Sequence, residues 1–281
     1  MTTADTRLLA LLGRPVEHSR SPAIHTAAID ALGLDAVYLA FEVADDRVGE
    51  AVAGLRALGA AGANVTIPHK RAVMAHLDTI EPAAKAIGAV NTIVREGDRL
   101  IGANTDAPGL VRALREAGCE PRDLRVVVLG AGGAARAAVV GLADAGAARV
   151  TVAARRQDAA AAMLTDLALR TPTSTADLAT LALDECDLLV QATSATMTDA
   201  AQPFADALPI ASLPETATVI DLVYAPLETT VLAAARAHGC RTVDGLGMLV
   251  WQAALAFERW LGVAPPIDVM RRAASGDTKT R

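Results

Sequence analysis

A glycine-rich turn between a strand pattern and a helix pattern is the segment of this chain that points most directly to chemistry. The β-branched run Arg125–Leu129 leads into Gly130, Ala131, Gly132, Gly133 and Ala134, and an alanine-rich helical pattern follows. Gly130 can make a tight turn, Gly132 lets the backbone approach a pyrophosphate, and Ala135 fits the position where helix and strand pack. The helix N-terminus adds free N–H groups and the positive end of its dipole. The pattern favours a dinucleotide site, and a plain strand-to-helix connection is the alternative.

Two arginines follow the next strand pattern, residues 148–153. In a dinucleotide-binding fold the end of this strand approaches the adenosine ribose, and an NAD enzyme places a carboxylate there for the 2′-hydroxyl. This chain has Ala154, Arg155 and Arg156 instead. A guanidinium pairs well with a 2′-phosphate, which a carboxylate would repel. The pair therefore favours NADP, and two solvated charges at a strand end are the alternative.

Lys70 is the candidate acid/base. It follows the strand pattern of residues 62–67, and Pro68 fits the first position of a helix, which would place Lys70 in the first turn. A cation there faces the positive end of the helix dipole, so its charged form is disfavoured and proton transfer becomes a candidate role. A solvated lysine is the alternative. Asp106 precedes the helix pattern of residues 110–117, where a helix N-cap is a simpler interpretation than catalysis.

Several polar side chains stand at element ends or beside an apolar helix face. Ser21 is a good N-cap and Pro22 a good first residue for a helix running to Leu32, but capping does not explain Ser19. Two hydroxyls at a helix start could bind a polyol or a carboxylate. Three further polar side chains are candidates. Asn91 stands in a strand pattern, Tyr224 at a strand exit, and Gln252 on or beside the apolar face of the last helix (residues 247–261). A buried amide needs partners, which either the fold or a ligand supplies.

The element pattern places these residues in an α/β protein. Strand and helix patterns alternate after a boundary near residues 106–108, as in a doubly wound parallel sheet. A chain of 281 residues suggests about two domains. With 52% hydrophobic but only 2% aromatic residues, the core must be built from Ala, Val and Leu. We expect the polar tail after Arg272 to be disordered.

Composition excludes several classes of protein. The formal net charge of −6, with no basic run, argues against a nucleic-acid or acidic-membrane partner. No apolar run approaches transmembrane length, and Leu8–Leu12 is too short for the core of a signal peptide. Cys119, Cys186 and Cys240 lie far apart without a CxxC pair, so we expect reduced thiols in a cytoplasmic protein. No cluster of metal-ligand type is visible, and we expect no metal site.

Six separated motifs, in this order, resemble the shikimate dehydrogenase family, with the quinate/shikimate dehydrogenases beside it. They are Ser19-x-Ser21-Pro22, Asn64-Val65-Thr66-x-Pro68-x-Lys70, Gly88-Ala89-Val90-Asn91-Thr92, Asn104-Thr105-Asp106, Gly130-Ala131-Gly132-Gly133-Ala134 and Gly245-x-Gly247-Met248-Leu249-x-x-Gln252. The resemblance covers nearly the whole chain, and the motifs together are specific where each alone was ambiguous.

The resemblance implies a fold and an activity. The fold is a substrate-binding and catalytic α/β domain (residues 1–106), a Rossmann-like doubly wound NADP-binding domain (107–243) and a C-terminal helix that returns to the substrate domain (244–281), with the active site in a cleft. The activity is the reversible NADPH-dependent reduction of 3-dehydroshikimate to shikimate in aromatic amino-acid biosynthesis. The small-molecule substrate is the main partner, and a homodimer is compatible with the resemblance.

The resemblance also implies residue roles. Lys70 would be the catalytic acid/base, with Asp106 beside it. The hydroxyls and carboxylate of shikimate would be bound by Ser19, Ser21, Thr66, Asn91, Asp106, Tyr224 and Gln252. NADP would be held by Gly130, Ala131, Gly132, Gly133, Ala134, Ala154, Arg155, Arg156, Leu222 and Gly245.

The chain departs from the family's common residues at several places. Thr26 and Ala107 stand for a common Asn and Gly, Ala154 and Arg156 for the Asn and Thr of an Asn-Arg-Thr cofactor motif, and Gln191 and Thr196 for a common Asn and Gly. Ala154 and Arg156 change the cofactor contacts in detail, but the added cation still favours NADP. Three alternatives stay open: an enzyme that also oxidises quinate, a non-catalytic shikimate sensor, and a dinucleotide-dependent reductase with another substrate.

Overall fold

The computed structural model describes residues 2–198 and 201–276. In chain order the elements are β1 (Arg7–Gly13), α1 (Ser21–Ala31), β2 (Ala36–Glu42), α2 (Val48–Ala57), β3 (Gly62–Val65), β4 (Thr79–Ile80), α3 (Pro82–Ile87), β5 (Thr92–Glu96), β6 (Arg99–Ala103), α4 (Asp106–Glu116), β7 (Arg125–Leu129), α5 (Gly133–Asp144), β8 (Arg149–Ala154), α6 (Gln157–Leu167), β9 (Thr173–Asp177), β10 (Leu188–Gln191), α7 (Ala201–Asp206), β11 (Thr218–Asp221), α8 (Thr230–Ala237), β12 (Arg241–Val243), α9 (Leu246–Leu261) and α10 (Ile267–Ser275). The predicted α/β class is confirmed.

The chain divides into two compact units. The N-terminal unit comprises Met1–Thr105 and Val250–Arg281, and the central unit comprises Asp106–Leu249. Among the described residues each unit has its own six-stranded sheet. Helix α9 begins in the central unit and ends in the N-terminal unit. None of the helices described has the length and apolar character needed to cross a membrane.

The sheet of the N-terminal unit is mixed, with strand order β2-β1-β3-β5-β6-β4. Strand β1 is parallel to both β2 and β3, whereas β5 runs antiparallel to β3 and β6. The run Leu9–Leu12 in β1 is buried, as expected for an inner strand paired with β2 on one side and β3 on the other. The strand directions place the carboxyl ends of β1, β3 and β6 and the start of β5 along one edge of this sheet.

The C-terminal segment completes the N-terminal unit. The Trp260 indole N–H on α9 donates a hydrogen bond to the carbonyl of Ile93 on β5, at 2.8 Å. A Cβ atom on Gly62 would lie only 2.2 Å from the Trp260 Nε1 atom, so β3 needs a glycine there. Helix α10 packs on α1, and the Arg20 guanidinium donates to the Ala274 carbonyl. The helical C-terminus that returns to the first domain is therefore confirmed.

The sheet of the central unit is parallel throughout, with strand order β12-β11-β10-β7-β8-β9. Its inner strands are continuous apolar runs, as expected for strands covered by helices on both faces. Val126–Leu129 in β7 and Leu188–Val190 in β10 are almost completely buried. The chain order reverses between β7 and β10, which is the crevice where doubly wound sheets bind ligands.

Two predictions about element ends are wrong. The disordered tail was predicted to begin after Arg272, but α10 continues to Ser275, with Met270 and Ala274 buried. Residues 277–281 of that tail lie outside the described residues. The helix predicted to start at Leu110 begins already at Asp106. In both cases packing extends a helix beyond what the local pattern indicates.

We expect Asp187→Asn to destabilise the central unit. The Asp187 carboxylate accepts the Arg125 backbone N–H at 2.9 Å and two guanidinium N–H groups at 2.9 and 3.0 Å, joining β10 to β7. These bonds from Arg125 hold the pKa of Asp187 below its ordinary value. The carboxylate therefore stabilises the fold above about pH 4, and this contribution is lost as the pH falls through the lowered pKa.

The expected loss at pH 7 is about 1 kcal/mol, measured from urea unfolding midpoints. The difference between wild type and Asp187→Asn should shrink as the pH falls below about 4 and disappear once the pH lies below the lowered pKa of Asp187. Asp98→Asn is the matched control, because Asp98 is fully exposed and its pair with Arg95 is 3.4 Å long. A pH-independent difference for Asp187→Asn would contradict the assignment to its charge.

Candidate functional site

One edge of the N-terminal sheet collects five of the predicted site residues. Ser19 and Ser21 follow β1, Thr66 and Lys70 follow β3, and Asn91 directly precedes β5. The strand directions place all of these chain segments at the same edge. Hydroxyl, amide and ammonium groups are therefore concentrated where the backbone leaves the sheet.

The loop before α1 holds the two serines. The Ser21 backbone N–H donates to the Ser19 hydroxyl at 3.2 Å, and Ser21 itself is buried. The prediction that Ser21 caps α1 is wrong: the N-cap is Arg20, and Ser21 is the first helical residue. Because Ser19 accepts the N–H of Ser21, the helix begins one residue earlier than the capping pattern indicates.

Lys70 lies in a turn and not in a helix. The His69 N–H donates to the Thr66 carbonyl at 2.9 Å, and the Lys70 carbonyl accepts the Val90 N–H at 2.8 Å. The next helical turn, of 3-10 type, starts only at Ala72. The placement of Lys70 against a helix dipole is therefore wrong, because its carbonyl bonds to a distant segment. The Val90 bond instead ties Lys70 to the segment that carries Asn91.

Asn91 is held by a buried polar network. Its Oδ1 atom accepts the Thr105 N–H at 2.7 Å and the Thr92 hydroxyl at 2.9 Å, and its Nδ2 donates to the Thr105 hydroxyl at 3.0 Å. The Asn64 amide donates to the Asn91 carbonyl at 3.3 Å, and the Tyr38 hydroxyl donates to Asn64 at 2.8 Å. Burial raises the pKa of Tyr38, so the hydroxyl stays a donor.

Sequence reasoning missed the support given by Tyr38 and Asn64. An amide in the middle of the short strand β3 was the available signal, since a buried amide must find partners. His25 stacks on Tyr38 with a ring-centroid distance of 4.3 Å, and burial lowers the pKa of His25 to about 3. The imidazole is therefore neutral, and it acts as part of an aromatic cluster with Phe257 and Trp260.

The remaining predicted substrate residues occupy other elements. Asp106 is the buried first residue of α4 in the central unit, directly after Thr105. Tyr224 is half-buried behind the carboxyl end of β11 in the same unit. Gln252 is half-buried on α9, in the part that belongs to the N-terminal unit. The three residues thus stand on elements other than those that carry the five residues above.

The glycine-rich turn has the geometry that a pyrophosphate requires. Gly130 has a φ of +112°, and a Cβ atom there would lie 2.8 Å from the Thr193 methyl carbon. Gly132 is exposed at the start of α5 and has open space where a Cβ would stand. Ala135 is fully buried between helix and sheet. The turn thus has the tight bend, the exposed backbone and the helix N-terminus that bind phosphate.

The two arginines lie one strand away from this turn. Ala154 ends β8 and is buried, whereas Arg155 and Arg156 are exposed. Within the residues that the structure describes, neither guanidinium takes part in an ion pair. Because β7 and β8 are adjacent and parallel, their carboxyl ends are neighbours. Two uncommitted positive charges beside a phosphate-binding turn fit a dinucleotide that carries an additional phosphate.

Gly245 lies against the backbone that leaves β11. A Cβ atom there would stand 2.6 Å from the Val223 carbonyl oxygen and 2.7 Å from that of Leu222. Leu222 itself is half-buried at the carboxyl edge of the sheet. This close approach leaves no room for a Cβ atom and explains why a glycine stands at position 245.

A buried network that sequence reasoning did not assign joins β10 to β11. Asp221 accepts hydrogen bonds from the Val223 N–H at 2.9 Å and the Thr229 hydroxyl at 2.7 Å. Gln191 donates to the Thr193 carbonyl at 2.9 Å and to the Thr196 hydroxyl at 3.0 Å. Burial raises the pKa of Asp221, although its hydrogen-bond donors oppose this effect. No group of three or more His, Cys, Asp or Glu side chains suited to a metal ion occurs among the described residues.

Family models match residues 11–93 (shikimate dehydrogenase substrate binding domain), 111–224 (shikimate/quinate 5-dehydrogenase) and 245–274 (shikimate 5′-dehydrogenase C-terminal domain).

Two curated relatives are both named shikimate dehydrogenase (NADP(+)). The one from Symbiobacterium thermophilum is 48% identical over 95% of this chain and 93% of its own length, and the one from Geobacter metallireducens is 45% identical over 96% of each. The crystal structure of shikimate 5-dehydrogenase from Thermus thermophilus, in complex with NADP(H) and shikimate, is similar with a TM-score of 0.86. Its identity is 39%, over 96% of this chain and 99% of that one.

Proposed function

This chain belongs to the shikimate dehydrogenase family, and from that premise we propose how its residues divide the work of the reaction. The enzyme catalyses the NADP-dependent, reversible reduction of 3-dehydroshikimate to shikimate, a step in aromatic biosynthesis. The predicted family, activity and cofactor are confirmed by the comparisons. The residue roles, the domain functions, the oligomeric state and the cellular location are our proposals.

We propose that Lys70 transfers the proton. Reducing the ketone requires a proton for the oxygen that becomes the hydroxyl, and a lysine ammonium can donate it and, in the reverse direction, accept it. NADPH, when bound, supplies the hydride. Asp106 would accept a hydrogen bond from the same substrate hydroxyl and orient the lysine ammonium. The observation that carries the Lys70 assignment is its place at the sheet edge, tied through Val90 to the Asn91 segment.

We propose that the sheet edge of the N-terminal unit binds the polyol and carboxylate of shikimate. Ser19, Ser21, Thr66 and Asn91 would provide hydroxyl and amide groups from three different loops of this edge. Tyr224 and Gln252 would add further polar contacts, which the family resemblance supports. The Tyr38–Asn64–Asn91 network supports this role, because pre-positioned polar groups bind a rigid polyol without an ordering cost.

We propose that the carboxyl edge of the central sheet holds NADP. The turn Gly130–Ala134 would bind the pyrophosphate, and Arg155 and Arg156 beside Ala154 would bind the 2′-phosphate. Leu222 and Gly245 would line the nicotinamide end of the site. Support comes from the positive φ of Gly130, the open space at Gly132 and the exposure of both arginines. In this proposal residues 1–106 and 244–281 serve substrate and catalysis, and residues 107–243 serve the cofactor.

We also propose a cytoplasmic enzyme that works as a homodimer. Cys119, Cys186 and Cys240 are all free and buried, which suits a reducing compartment. Strand β2 ends the N-terminal sheet and exposes Leu39 and Phe41, and such an edge is a surface that a second copy could cover.

A four-way absorbance assay tests the substrate side of the proposal. Purified protein is mixed with shikimate or quinate and with NADP or NAD, and formation of the reduced nicotinamide is followed. We expect rapid reduction of NADP with shikimate and slow reduction in the other three mixtures. Faster turnover of quinate would identify a quinate/shikimate dehydrogenase. No reduction in any mixture, with shikimate binding intact, would identify a sensor and overturn the roles of Lys70 and Asp106.

A further inference from the structure

Two departures from the family's common residues lie in direct contact. Gln191 replaces a common Asn and Thr196 a common Gly, and neither has a role in the function proposed above. Both side chains are almost completely buried, and the Gln191 amide nitrogen lies 3.0 Å from the Thr196 hydroxyl. An asparagine, shorter by one methylene, would not reach this hydroxyl, and a glycine would not offer it. The longer amide and the added hydroxyl therefore fit each other as a pair.

The pair belongs to a brace across two strand ends. Gln191 ends β10, and its side chain binds the Thr193 backbone twice, accepting the N–H at 2.7 Å and donating to the carbonyl at 2.9 Å. The Thr196 hydroxyl accepts a hydrogen bond from the Gln191 amide nitrogen at 3.0 Å. The same nitrogen donates to the Asp221 carboxylate at the end of β11, at 3.4 Å. The Gln191 amide thus joins Thr196 to the carboxylate of the neighbouring strand.

The brace holds the two loops that border the cofactor crevice. Thr193 packs against the glycine turn, with its methyl carbon 2.8 Å from the place of a Cβ on Gly130. Asp221 fixes the Val223 N–H at 2.9 Å, and the Val223 carbonyl lies against Gly245. A shift of the brace would therefore move the backbone beside the glycine turn and beside Gly245 together.

We propose that Gln191 and Thr196 are positioning residues for NADP, which act through the Thr193 loop and Asp221 and not by touching the cofactor. The inference rests on the proposed cofactor site at Gly130–Ala134. It means that this chain has replaced the family's common strand-end pair by a longer, hydrogen-bonded pair, and that the two positions are energetically coupled.

The test is a double-mutant cycle with NADP affinity as the readout. Gln191→Asn and Thr196→Gly each leave buried polar groups without their partner, so each should weaken NADP binding about three- to thirty-fold. The double variant, which carries the family's common pair, should return to within about threefold of wild type. Thr196→Ser keeps the hydroxyl and should bind NADP like wild type. The KM for shikimate should change little in every variant. NADP binding is measured by fluorescence titration of the folded proteins.

Controls separate this inference from general destabilisation and from the site assignment. Thr218→Val removes a buried hydroxyl at the opposite end of β11 and should lower stability without changing NADP affinity. Unchanged NADP affinity in both single variants would overturn the inference. So would a double variant whose loss of NADP binding free energy equals the sum of the losses in the two single variants. Should Gln191→Asn not fold, weak binding by Thr196→Ser would overturn it as well. Gly132→Asp should abolish NADP binding; if it does not, the proposed cofactor site itself fails.

Discussion

Lys70→Ala is expected to lower kcat for shikimate oxidation by about 10²–10⁴-fold, the usual contribution of a positioned general acid/base. The reaction cannot complete unless a proton leaves the hydroxyl oxygen, and alanine offers no acceptor. Binding should be affected far less, because Ser19, Ser21, Thr66 and Asn91 remain and the Lys70 carbonyl keeps its bond to Val90. The measurement is kcat from NADPH formation together with the shikimate Kd from calorimetry.

Lys85→Ala is the matched control for this experiment. Lys85 is an exposed lysine on α3 in the same unit, so its loss should leave both kcat and shikimate affinity unchanged. Partial recovery of Lys70→Ala by added primary amines would point to the missing proton carrier. A Lys70→Ala variant with near-normal kcat would show that another group transfers the proton. A variant that loses shikimate binding as strongly as turnover would make Lys70 a binding residue.

The central sheet is the part of the fold that the sequence predicts best. Its inner strands are buried on both faces, so they appear as uninterrupted apolar runs between turn residues. The bounds of β7 agree with the predicted strand, and the glycine turn lies directly after β7 as the fingerprint requires. Edge strand β9 was missed, because Thr173, Ser174 and Thr175 are polar and exposed. The local sequence pattern therefore predicts a strand correctly where both of its faces are buried, and it misses a polar strand at the exposed edge of the sheet.

The candidate site depends more on contacts that no local pattern contains. The Lys70 backbone is set by Val90, and the start of α1 is set by a side chain outside the helix. Likewise, the sequence shows that Gln191 and Thr196 are unusual, but only the turn after β10 brings them together. Residue types at strand ends were thus predictable, whereas their hydrogen-bond partners depend on register and turns.

Removing both arginines at the end of β8 is expected to weaken NADP binding by about 10²-fold or more while leaving NAD binding little changed. Each hydrogen bond to a charged phosphate contributes roughly 1.5–3 kcal/mol, or about tenfold to a hundredfold in affinity. NAD lacks the 2′-phosphate, so Arg155→Ala/Arg156→Ala removes nothing that it uses. The dissociation constants of both cofactors are measured at low and high salt, and the salt dependence of NADP binding should decrease in the variant.

Arg149→Ala is the matched control, because Arg149 is an exposed arginine at the opposite end of the same strand and pairs with Glu185. Unchanged NADP affinity in the double variant would mean that the 2′-phosphate binds elsewhere. The two single variants then decide the role of the departure from the family's motif. If Arg155→Ala alone accounts for the loss, Arg156 is a solvated charge at the start of α6. If Arg156→Ala weakens NADP binding as well, the extra cation is a working part of the site, and this chain discriminates against NAD more strongly than a single arginine allows.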